Sequence, residues 1–181
     1  MASFKFNIEK AKAAILFITQ EIGHSDMLKI FKILYFAEQK HLAKYGSLIL
    51  ADRYIAMKNG PVPSNIYDYF KGLRDGNFRF PNAEIFYKAF EVYDYHMIKG
   101  LEAPDMDCLS KSDVICIQDS IRENRVLDFN QLSEKSHDSA WAKADKDNEI
   151  DYFDIAMAGG ANEEMMKYIN ECFEYSNVTI A

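Results

Sequence analysis

Long apolar runs are missing from this chain of 181 residues. Lys and Glu interrupt every hydrophobic stretch before the roughly 18 apolar residues that a membrane-spanning helix requires, so no membrane partner is expected. The layout of a secretory leader is missing too: Asn7, Glu9 and Lys10 stand where an apolar region should begin, and the cytoplasm is the expected compartment. Cysteine is scarce. Cys108, Cys116 and Cys172 are odd in number and widely spaced, with no CxxC pair and no histidine at zinc-ligand spacing. That usage points to reduced, structural thiols, with Cys116 as a small buried hydrophobe on a helix. The chain also lacks GxSxG, GxGxxG and GxxxxGK, which removes the usual support for serine-hydrolase, dinucleotide and P-loop readings. His24, His41, His96 and His137 fall on different elements and form neither HxxxH nor HExxH. No cofactor, metal or catalytic residue is therefore expected, and the abundance of carboxylates does not by itself identify an acid/base pair.

What is present is a hydrophobic content of 49%, enough for one core and a single domain spanning residues 1–181. Residues 1–80 hold 12 Lys plus Arg against 7 Asp plus Glu, a net +5, and residues 81–181 hold 9 against 21, a net −12. An acidic second half repels phosphates and favours basic protein partners, and the basic half is too dilute for a nucleic-acid footprint.

Ile8, Ala11, Ile15, Ile18 and Ile22 recur at helical spacing, and Gly23 in a left-handed conformation followed by Ser25 as a cap should separate this helix from the next. The second helix carries Met27, Ile30, Phe31, Leu34, Tyr35 and Leu42 to a stop at Tyr45-Gly46 and reads as the central core helix. Leu48 to Met57 reads as a short extended segment entering the Asn59-Gly60-Pro61 turn, after which Pro63 opens a third helix through Ile66, Tyr67, Phe70 and Leu73. Alternation around Phe78 and Phe80, and around Tyr93, Tyr95 and Met97, places a small hairpin between residues 78 and 99. Ser110 and Asp113 form a capping box for a helix over Lys111 to Asn124 with Val114, Ile117 and Ile121 inward. Asp128 caps a short helix toward His137, and Asn162 caps a final helix with Met165, Met166, Ile169, Cys172 and Phe173 on one face. The fold class expected is mainly α (α+β): a compact single-domain helical bundle with a small β-hairpin or short sheet.

The run Leu34-Tyr35-Phe36-Ala37, then His41, Tyr45-Gly46, Tyr54-Ile55-Ala56, Gly60-Pro61-Val62 and Tyr67, followed by Leu109-Ser110 and by Leu132, Ser136, His137 and Trp141, resembles the Panacea domain. This is the SocA-like antitoxin family, also labelled phage-associated GepA-like proteins. The resemblance implies the antitoxin of a toxin–antitoxin system, which neutralises a cognate toxin from an adjacent gene by direct contact. In some relatives it implies delivery of that toxin to a Clp-type protease. Glu38 stands where many relatives have Asp, and the appended DNA-binding module of other relatives has no counterpart here.

Residue chemistry assigns most of these markers to packing. Leu34, Tyr35 and Ala37 belong to the core face of the second helix, with Phe36 beside them, and Gly60-Pro61-Val62 is a turn permitting close helix approach. Trp141 reads as a ring whose N–H bonds to Ser136 or a carboxylate, with His137 as a brace. The candidates for toxin contact are the tyrosines expected at the surface, Tyr67, Tyr69, Tyr93 and Tyr95. Two alternatives compete with a binding module: a hydrolase or nucleic-acid-processing enzyme built on His41 or His137, and a phage or plasmid regulator binding DNA through the basic half.

Overall fold

The computed structural model describes residues 5–77 and 79–178, with side chains as far as Tyr175. Phe78, half of one alternation read from the sequence, lies outside the described residues. Helix α1 (Ile8–Ile22) starts at Asn7, whose side chain accepts from the Lys10 N–H, and ends at Gly23 with φ 78°. Helix α2 (Met27–Tyr45) follows, and thirteen of its nineteen residues are buried. A helix enclosed on all sides must meet apolar surface in every direction, and α2 does so by contributing to two clusters. Ile30, Phe31, Ile33, Leu34 and Ala37 join α1 residues such as Ile15 and Ile18 in the first. Tyr35, Phe36 and Leu42 join Tyr54, Leu132, Ile150 and Ile155 in the second. The cap of α2 is Asp26, not Ser25: Ser25 pairs with Ile98 across a strand, which leaves the Asp26 carboxylate to accept from Leu28 N at 2.7 Å.

Strand β1 is Ser25–Asp26, and strands β2 (Tyr54–Met57) and β3 (Gly60–Pro63) form an antiparallel hairpin in which Met57 pairs with Gly60, leaving Lys58 and Asn59 as the turn. The sequence predicts one extended segment and a turn here, and the structure adds a second strand although two prolines in four residues argue against pairing. They are tolerated because the third lane of this sheet runs along β2: Ile150 N donates to Tyr54 O and Ala56 N to Asn148 O. Helix α3 (Ser64–Asp75) starts directly after Pro63 and closes at Gly76 in the left-handed conformation.

Residues 79–100 contain a helix, α4 (Glu84–Ala89), ahead of the expected hairpin, β4 (Phe90–Tyr93) with β5 (Met97–Gly100). Ala83, Phe86 and Ala89 are all buried, a three-residue spacing that makes this segment helical. β5 also pairs with β1, giving the order β1-β5-β4. Helix α5 (Lys111–Asn124) has the expected Ser110/Asp113 capping box and buries Ile117 and Ile121 along α2, with Val114 half-buried. Helix α6 (Phe129–Ser136) has a second capping box from Asp128 and Gln131. Helix α7 (Ser139–Lys143), too short to show a period, was not foreseen; Asp138 caps it through Ala140 N and Trp141 N. Helices α8 (Tyr152–Ala158) and α9 (Glu163–Val178) close the second cluster, with Asn162 capping α9. Gly159 lies so close to the Gln39 backbone that an added Cβ would collide with it. The architecture is thus mainly helical with small antiparallel sheets.

Candidate functional site

Markers scattered over a hundred residues of sequence meet around the β2–β3 turn. Trp141 donates its indole N–H to Met57 O at 2.9 Å, and His137, stacked on that indole at 3.9 Å between centroids, donates from Nε2 to Lys58 O at 3.1 Å. The brace expected of His137 exists, but the Trp141 partner is a hairpin carbonyl, neither Ser136 nor a carboxylate. Strand carbonyls at a two-residue turn point outward and need donors. Ser136 is buried and gives its hydroxyl to Ser133 O. Gly60, at φ 91°, packs directly on it, and an added Cβ would meet Ser136 Oγ and come within 2.8 Å of Lys32 Nζ. Only glycine combines that backbone conformation with that proximity.

Asp138 ties the turn to α2. Besides capping α7, its carboxylate accepts from the Tyr35 hydroxyl at 3.0 Å and from Gln39 Nε2 at 2.6 Å. Lys32, only 2% exposed, donates from Nζ to Pro61 O at 2.7 Å. Burial pushes its ammonium down to about 7, with the Asp138 carboxylate opposing the shift. Burial, reinforced by Asp138, holds the Tyr35 hydroxyl far above its ordinary value. Leu34 and Ala37 are in the first core, and Phe36 is buried with Lys135 Nζ 4.6 Å above its ring.

Three cavities adjoin this turn. One of about 440 Å³ lies between α2 and α6, lined by Leu28, Lys29, Lys32, Asn59, Met97, Phe129 and Leu132. The second, about 380 Å³, shares Asp26, Leu28 and Asn59 with it and runs over Phe31, Val62, Tyr67, Arg74 and Tyr95. The third, about 310 Å³, lies beyond Met57 and Lys58 against Trp141. Lys29, Lys32, Lys58, Arg74 and Lys146 line these grooves against the single carboxylate of Asp26. The expectation of basic partners, drawn from whole-chain charge, is reversed locally: a chain of net charge −7 lines these grooves with cations.

Two of the four tyrosine candidates share a groove. Tyr67 is half-buried, edge-on to Phe31, while Tyr95 is 71% exposed beneath Arg74, whose guanidinium lies 4.3 Å from its centroid. Tyr93 is half-buried on β4, its hydroxyl 3.2 Å from His24 Nδ1. Tyr69 does not have the exposure expected of it: it is buried, stacks on Phe86, and donates to Pro81 O at 2.7 Å. Residues passed over in the sequence prove central, namely Lys32, Gln39, Phe129 and Asp138. Lys32 left a trace there, as the lone charge in Ile30-Phe31-Lys32-Ile33-Leu34-Tyr35-Phe36.

A different polar cluster occupies the other end of α2, in a cleft of about 710 Å³. His41 Nδ1 donates to Ser47 O at 2.7 Å, and its Nε2 faces Ser112 Oγ at 3.1 Å and Asp113 Oδ1 at 3.3 Å. Burial lowers its pKa. Asp113 also accepts from Lys10 at 2.8 Å and from Ser110 N. Glu38 receives Ile49 N and Leu50 N, and burial pushes its carboxyl up to about 7. His41 and His137, named for an enzymatic alternative, thus belong to separate clusters. Among the described residues, no group of three or more His, Cys, Asp or Glu could hold a metal ion.

A family model described as antitoxin SocA-like, Panacea domain, matches residues 30–142, from the first turn of α2 through most of α7. No curated protein and no solved structure matches the chain.

Proposed function

This chain belongs to the SocA-like antitoxin family, the Panacea domain, and from that premise we propose that it neutralises a protein toxin encoded by an adjacent gene by covering it with the face around the β2–β3 turn. The observation that carries this reading is the convergence of separated markers, Gly60-Pro61 with Ser136, His137 and Trp141, on one braced turn flanked by three grooves. A turn hydrogen-bonded by three side chains from other elements, Lys32, His137 and Trp141, is pre-organised, and pre-organisation lowers the entropy cost of association. Tyr67, Tyr95, Phe129 and Arg74 supply the aromatic and guanidinium surface that anchors protein interfaces. Neutralisation by contact requires no catalytic residue.

Residues past 142 act with the matched segment as one unit, because Ile155, Ala156 and Ile169 complete the cluster that holds Tyr35. Among the described residues, no helix is long and apolar enough to cross a membrane. Co-expression tests the proposal. The adjacent gene should be toxic alone and harmless with this chain, and the two products should co-purify; a harmless neighbour, or no complex, removes the reading. Toxin lifetime in cells with and without a Clp-type protease then separates occlusion from delivery for degradation.

A further inference from the structure

We propose that Lys32, at the base of the groove between α2 and α6, receives a carboxylate carried by an apolar segment of the partner protein. This rests on the antitoxin reading and adds the chemistry of the partner. An ammonium carries three N–H donors; Lys32 uses one on Pro61 O, and among the described residues no other hydrogen bond to it is found. Asp138, the carboxylate that acts on it electrostatically, already accepts from Tyr35, Gln39, Ala140 N and Trp141 N. A buried cation left so incompletely paired is costly, and an apolar side chain would fill the position more cheaply unless something binds there. The groove offers the room: about 440 Å³, walled by Leu28, Met97, Leu132 and Phe129, the last 48% exposed. That is space for one or two side chains with an apolar body.

Charge selects the anion. Lys29 stands beside Lys32 in the lining and Asp26 is the one carboxylate there. The remaining titratable group is His24, while α6 and β5 present Phe129, Leu132, Ser133 and Met97, none of which titrates. In the free protein burial pushes the Lys32 ammonium down to about 7. A bound carboxylate favours the protonated form, so association takes up a proton above that pH. Affinity should hold steady just below pH 7 and fall as pH rises above it, by about tenfold per unit until the bound-state pKa is reached.

The test measures affinity for the adjacent gene product, and for the probe 4-phenylbutyrate by NMR, with wild type, Lys32→Met and Lys32→Gln, each first checked for cooperative unfolding. Gln keeps a donor for Pro61 O without the charge. The expected result is a loss of tenfold or more at pH 6 in both variants, with the pH dependence above 7 abolished. Equal affinity of wild type and both variants for the gene product overturns the inference and leaves the antitoxin reading standing. If wild type forms no complex, that reading falls and the probe decides alone. Shifts at Leu28 and Leu132 that vanish in Lys32→Met support a carboxylate site, and their absence in wild type overturns it.

Discussion

The two ends of α2 carry polar groups in equally buried settings and treat them differently. Toward the C-terminal end, Glu38, His41 and Asp113 are matched by backbone N–H groups, a carbonyl, serine hydroxyls and Lys10. Toward the N-terminal end, among the described residues, Lys32 is hydrogen-bonded to one carbonyl beside a groove with apolar walls. The cleft at the paired end is the larger, at about 710 Å³ against 440 Å³, so size is not what sets the two ends apart in their hydrogen bonding. Unused hydrogen-bonding capacity does: a closed network specifies the fold, whereas an open donor beside apolar walls is ready for a partner.

The largest loss is expected at Asp138, which links α2 to the braced turn. Asp138→Ala removes the α7 cap and orphans the buried Tyr35 hydroxyl and the Gln39 amide; about 4 kcal/mol of stability should be lost, read as a lower urea midpoint at unchanged slope. The second test is a pH profile. Because the folded pKa of Lys32 is lowered to about 7 from 10.5, the unfolded chain holds the extra proton between those values, and stability gains as pH rises through that window. Relative to Lys32→Met, wild type should therefore gain about 3 kcal/mol between roughly pH 7 and pH 9.5; parallel thermal-melt profiles for the two proteins would contradict the burial of a charged amine.

Gly60→Ala comes next. It forces an L side chain to φ 91° and against Ser136 and Lys32, costing about 2 to 3 kcal/mol, and toxin binding should weaken more than that loss explains once stability is matched by temperature. Glu38→Ala strips two backbone N–H groups of their acceptor but also releases a carboxyl whose charged form is disfavoured. A net loss of about 2 kcal/mol near pH 4.5 should shrink as pH rises toward 7, because the unfolded chain gives up the Glu38 proton from about 4.5 upward while the folded protein keeps it to about 7, and it should level off above that. Smallest in stability is Phe129→Ala, about 0.5 kcal/mol for a half-exposed ring, yet it should weaken toxin binding at least tenfold. An unchanged affinity there would move the contact surface away from this groove.

Local chemistry made the helices legible. Ser110 with Asp113, Asp128 and Asn162 each accept from N–H groups at the start of the helices that the sequence assigns to them, and Gly46 and Gly76 end helices in the left-handed conformation. Such signals lie within four residues of one another, where chain geometry settles the contact. Strand β3 and helix α7 were hidden for the opposite reason: Gly60–Pro63 pairs only because Tyr54–Met57 lies alongside, and five residues are too few to show a period. Tyr69 shows the same limit for exposure, since the partners that bury it, Phe86 and Pro81, come from beyond its own helix.

By itself, the sequence determined that α2 would be the central core helix, because a broad apolar stripe running from Met27 to Leu42 has to be covered by other elements. It also established the family, through the spacing of residues of which the structure places Gly60, Pro61, Ser136, His137 and Trp141 around one turn. Tertiary structure alone decided that Lys32 would have one hydrogen-bond partner among the described residues, that Asp138 would link helix to turn, and that grooves on an acidic chain would be basic. Those outcomes depend on pairings across separations such as the 29 residues between Lys32 and Pro61 and the 103 between Tyr35 and Asp138, and no local pattern encodes what a side chain meets at that range.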